Sequence, residues 1–123
     1  MLLNDVKKAL KEIDPLVFYG LVPSRFVDEN GKKVDIDVWD YIVFNRVKLK
    51  NHANKTSYSD HFEVHIVREE FIPEGIDIEV ITKLTALPGV KLADDDGTYD
   101  YMMKPNTDTV IEMLTLTFTR GRK

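Results

Sequence analysis

Cysteine is absent from the 123-residue chain. That excludes disulfides, thiolate nucleophiles and cysteine-ligated zinc or iron–sulfur sites, and it favours the cytosol, or a particle assembled in it, as the setting. Long apolar runs are also missing. The longest, Leu16 to Val22, falls far short of the ~20 residues needed to span a bilayer, and the N-terminus reaches Lys7 and Lys8 too early to hold a signal-peptide core. There is no glycine-rich phosphate loop of either common type and no nucleophile elbow. An excess of basic residues is lacking too: 17 Lys and Arg stand against 21 Asp and Glu, a net charge of −4. That argues against a dedicated, specific nucleic-acid binder. What is left is an ordinary globular composition, 43% hydrophobic and 31% charged. At this length it predicts a single domain over residues 1–123 with a core large enough to fold without staples.

The clearest pattern in the chain lies at its centre. In Tyr58-Ser59-Asp60-His61-Phe62-Glu63-Val64-His65-Ile66-Val67-Arg68, residues Tyr58, Phe62, Val64 and Ile66 fall on one parity and Ser59, His61, Glu63 and His65 on the other. Period two predicts a strand with one buried and one wet face. Tyr41 to Leu49 predicts a second long strand, and the polar loop after it makes the two a hairpin. Upstream, Leu3, Val6, Leu10 and Ile13, with Ala9 beside them, follow the spacing of an amphipathic helix. Asn4 is its expected N-cap and Asp14-Pro15 its stop.

Leu16 to Val22 predicts a first strand, with Gly20 marking a bulge or a close backbone approach. Asn30-Gly31 predicts a turn, and residues 25 to 36 are expected to form a projecting hairpin or an ordered loop rather than core sheet. Pro73 to Leu87 mixes strand and helix spacing. Its length, its early proline and the Pro88-Gly89 stop favour a helix. Val90 to Ala93 and Thr98 to Met103 flank Asp94-Asp95-Asp96-Gly97 and predict another hairpin. Thr109 to Thr119 predicts the last strand. The fold class expected is α+β: a single twisted, mainly antiparallel sheet with both helices packed on one face.

Catalytic constellations are weak. His61, Glu63 and His65 share a parity, but the backbones of His61 and His65 would lie ~13 Å apart on a straight strand, too far for one ion. Asp94 to Gly97 lacks the remaining ligands of a calcium loop. The expectation is no catalytic residue, no metal, no cofactor and no enzyme activity.

Charge layout says more. Tyr41 to Ser59 carries Arg46, Lys48, Lys50 and Lys55 and no acid; Glu69 to Glu79 carries Glu69, Glu70, Glu74, Asp77 and Glu79 and no base. Arg46, Lys48 and Lys50 fall on one parity and are expected to project together. Either the two blocks neutralise each other or face water within one copy, or the basic region of one copy meets the acidic region of the next, a heterologous contact that closes into a ring if the rotation is right. Arg46, Lys48, Lys50, Lys55, Glu69, Glu70 and Glu74 are therefore the expected subunit-interface residues. The polar loops at 28–33 and 50–57 are expected to be mobile in the free protein.

The order of elements resembles the tail-terminator and head-to-tail joining (tail completion) proteins of long-tailed bacteriophages and prophages. The resemblance is carried by the short N-terminal helix before Val17-Phe18-Tyr19-Gly20-Leu21-Val22-Pro23, then Tyr41-Ile42-Val43-Phe44, the central strand, Leu87-Pro88-Gly89-Val90 and the threonine-rich last strand. The 25–39 insertion exceeds the minimal pattern. The resemblance implies a structural virion-assembly protein without cofactor or reaction. It would form a ring, typically hexameric, at the head-proximal end of the tail tube. Its partners would be itself, the tail tube and the head connector, with no membrane and no specific nucleic-acid contact, in the virion or host cytoplasm. The rival expectation is a stand-alone α+β module binding a partner protein or a small ligand.

Overall fold

The computed structural model describes residues 2–21, 25–27, 33–35, 39–51, 58–93 and 97–122. In chain order the elements are α1 (Leu2–Lys11), β1 (Val17–Tyr19), β2 (Arg25–Val27), β3 (Lys33–Asp35), β4 (Tyr41–Asn51), β5 (Tyr58–Glu69), α2 (Ile76–Thr85), β6 (Val90–Leu92), β7 (Thr98–Met103) and β8 (Val110–Arg122). The fold is α+β. Six strands form one mostly antiparallel sheet in the order β1-β4-β5-β8-β6, with β7 also on β8, and β2 and β3 form a separate two-stranded sheet.

The long ladder β4-β5-β8 sets the core because directly paired residues share a face. Ile42, Ile66 and Leu114 form one row across it, Phe44, Val64 and Leu116 the next, and Phe62 meets Phe118 in a third. The rings of that last pair stack with centroids 5.4 Å apart. All these residues are buried, and one apolar cluster joins them to Val6 and Leu10 of α1 and Val80 and Leu84 of α2. Gly75 is the N-cap of helix α2, with a φ of +105° that suits glycine, and the apolar spacing of the helix prevails over its β-branched residues.

Several expectations need correction. Helix α1 already runs at Leu2, so Asn4 lies inside its first turn rather than at the cap. Tyr58 is exposed although it has the parity of Phe62, because β5 continues past the end of the core. The second face of β5 is not simply wet: Ser59 and Val67 are buried, as are Val43 and Ile111 on the strands beside it.

Strand β1 runs parallel to β4. A parallel return needs a crossover of a dozen residues or more, and the 25–39 insertion supplies that length between Tyr19 and Tyr41. The expected 90–103 hairpin does not form. β6 and β7 each pair antiparallel with β8, at Phe118–Arg120 and Val110–Thr115, so they follow one another along a single edge. Gly97 lies at the resumption of that edge, where a Cβ would come within 2.9 Å of Leu114 Cδ1. The expected turns at Asn30-Gly31 and Asp94 to Asp96, and most of both polar loops, lie outside the described residues.

Candidate functional site

The β4-β5 hairpin places the basic and acidic stretches at opposite ends of the sheet. Lys48 stands opposite His61, and Glu69 lies eight positions along β5 from His61, ~26 Å of strand. Glu70 follows in a left-handed turn with φ of +72°, exposed, and Glu74 is exposed on the way into α2. Glu70 N–H donates to the Val110 carbonyl at 2.7 Å, which fixes this turn to β8.

The basic residues do not share a face. The β4-β5 register shifts between Arg46 and Lys48. Such a bulge resets the alternation. Arg46 therefore pairs with Phe62 on the core face, where its Nε donates to the Tyr19 hydroxyl at 3.0 Å. Lys48 pairs with His61 on the opposite face, and Lys50 with Ser59 in the same register. Lys55 lies outside the described residues. At the acidic end, Glu69 is not an isolated anion: Lys104 Nζ sits 3.1 Å from its Oε1. Glu70 and Glu74 are the more available acids of the expected interface.

Three features are assembled by the fold from residues that the sequence did not connect. The first is a buried ion pair. Arg68 Nη2 lies 2.7 Å from Asp14 Oδ2, both side chains nearly inaccessible. Asp14 also accepts from the Leu16 amide, and Arg68 Nη1 donates to the Tyr41 and Val67 carbonyls. The pair ties the end of α1 to the acidic end of β5. An Asp-Pro at a helix end and a single Arg closing an apolar strand were its only signals.

The second is a polar row on the face away from the core. His65 shares hydrogen bonds with Thr115 Oγ1 at 2.9 Å and Asn45 Oδ1 at 3.0 Å, with Glu63 3.8 Å from its ring. Burial pushes the His65 pKa below its ordinary 6.5, and the nearby charges of Glu63 and Asp100 oppose that in part. Among the described residues no cluster of three or more His, Asp or Glu side chains could hold a metal ion.

The third is a slot of about 170 Å³ on the same face, beside β7. Tyr41, Val67, Met113 and Asp100 form one row across the sheet, and Trp39 and Met102 complete the walls over Ile111. Burial raises the Tyr41 pKa. The sequence reading gave Val67 no face, and nothing in it showed that Trp39 would line the same slot.

No model of a known protein family and no curated protein matches the chain.

Proposed function

We propose that this protein is a structural virion-assembly factor, a tail terminator or head-to-tail joining protein that works as a homo-oligomeric ring at the head-proximal end of a tail tube. The observation that carries the reading is the separation of charge along one hairpin. Lys48 lies at one end and Glu70 and Glu74 at the other, beyond Glu69, which Lys104 already pairs. Their separation far exceeds the Debye length of ~8 Å at physiological salt, so neutralisation within one copy is weak. Head-to-tail packing brings the two ends together between copies.

In this reading both helices cover one face of the sheet and keep the core closed. The sheet ends and the opposite face then meet neighbours, the tail tube and the head connector, in the virion or the host cytoplasm. Each rim pair contributes only about 0–1 kcal/mol, so the charges select which surfaces meet rather than supply most of the affinity. Reversing Lys48 and Lys50 to glutamate should weaken termination, and adding Glu70→Lys and Glu74→Lys should restore part of it. Failure of the double reversal to rescue a folded protein would remove the charge contact from the proposal.

A second reading is a stand-alone module that binds a partner protein or small ligand, and the slot beneath Trp39 favours it. Trp39 is the single tryptophan of the chain. A ligand filling the slot would shift its emission, whereas ring closure through the charged ends would leave it unchanged.

A further inference from the structure

Strand β7 is an edge without the usual protection. All six of its residues are exposed, and Tyr99, Tyr101, Met102 and Met103 leave about half or more of their surfaces to solvent. Edge strands are normally blunted by brevity, lysine, proline or a bulge. β1, at the other side of the sheet, has only three residues. β7 has none of these devices, and its one charge is Asp100.

The register shows which backbone groups point outward. The Val110 carbonyl accepts from Glu70 on the β5 side, while the Thr109 carbonyl accepts from Lys104 on the β7 side. Bonding alternates along an antiparallel pair. Met103, Tyr101 and Tyr99, opposite Val110, Glu112 and Leu114, therefore turn their N–H and C=O groups away from β8. Among the described residues nothing pairs with them.

We infer that β7 is a self-association edge, and that two copies join through antiparallel β7–β7 pairing about a two-fold axis centred on Tyr101. Symmetry about an axis perpendicular to the sheet requires paired residues of equal parity, which leaves two central registers. Centring on Asp100 would set two carboxylates face to face at ~4.5 Å, which is destabilising. Centring on Tyr101 pairs Tyr101 with its own copy, Tyr99 with Met103 and Asp100 with Met102. Every outward backbone group of Tyr99, Tyr101 and Met103 then gains a partner. The pairing also gives an aromatic pair on the axis and two sulfur–aromatic contacts beside it. Tyr101 stands opposite Glu112 on β8, whose carboxylate raises its pKa, and leaves most of its surface exposed on the edge. The exposed side-chain surface available to the pair is on the order of 1,000 Å² in total, at the lower bound for a specific interface, which predicts a concentration-dependent dimer. This contact is independent of the charged ends assigned to ring closure, and the two fail separately.

Analytical ultracentrifugation of the full chain over a concentration series tests it. The expected result is a monomer–dimer equilibrium in the micromolar range. Tyr101→Lys should raise the half-dimer concentration at least tenfold by placing like charges on the axis. Tyr101→Pro should do the same by removing an outward N–H that β8 does not use. Thermal melts show whether each variant keeps its fold. The chain has no cysteine of its own. Mixing Asp100→Cys with Met102→Cys should therefore give a disulfide-linked heterodimer in preference to either homodimer, which reads the register without relying on the Tyr101 variants. A wild-type chain that stays monomeric at about 100 μM, association indifferent to both Tyr101 variants when they fold, or homodimer cross-links equal to the mixed one would each overturn the proposal.

Discussion

Arg68 and Asp14 illustrate what a single residue contributes here. Their ion pair is buried, so removing one partner leaves a charge without water or counter-ion. Arg68→Met should cost about 3–5 kcal/mol in urea unfolding, and the double variant Asp14→Leu, Arg68→Met should recover much of it, because an apolar pair needs no desolvation of charge. Phe62, fully buried against Phe118, should cost about 3–5 kcal/mol as Phe62→Ala; a loss under about 1 kcal/mol would contradict the assigned core face. His65 sets a pH dependence. Its folded pKa lies below the ordinary 6.5, so the unfolded chain takes up the proton first as pH falls. The His65 contribution is therefore intact above pH 6.5 and is lost as pH drops from there toward the lowered folded value. Melting temperatures at pH 7.5 and 5.5 should differ less in His65→Gln than in the parent.

At the scale of elements, parity and helical spacing were legible wherever a segment runs regularly. Phe62, Val64 and Ile66 took the buried face, and Val80, Ile81 and Leu84 built α2 against the strand-like run Ile76, Ile78 and Val80, with Leu87 packing on the core just past its end. Reading failed where a local irregularity resets the count. The bulge before Lys48 sent Arg46 and Lys48 to opposite faces, and strict alternation carries no signal for an unpaired residue. Pairing partners were the other loss: Val90 to Leu92 and Thr98 to Met103 look like hairpin arms, yet β8 is long enough to hold both end to end. Gly97 makes that join testable. A Cβ there would meet Leu114 Cδ1 at 2.9 Å and Leu116 Cδ2 at 3.0 Å, both in the core. Gly97→Ala should therefore destabilise by about 1–3 kcal/mol through overpacking. A neutral Gly97→Ala in the same urea assay would show that the edge can shift to make room.

For the whole molecule, the candidate site was legible as charge blocks and not as geometry. The sequence placed basic and acidic stretches at the two ends of one hairpin, but Lys104 beside Glu69 and the slot under Trp39 arise from chain segments brought together only by folding. The proposed reading is of a protein that works surface against surface, through charged ends offered to neighbours. Its central claim is the proposed ring formation on a tail tube, and electron microscopy of the protein mixed with tubes of a bacteriophage tail-tube protein tests that directly. The account predicts a ring of density capping one end of each tube and tubes that no longer lengthen, with Lys48→Glu, Lys50→Glu protein leaving those ends bare. Uncapped tubes that keep growing in the presence of folded wild-type protein would contradict it.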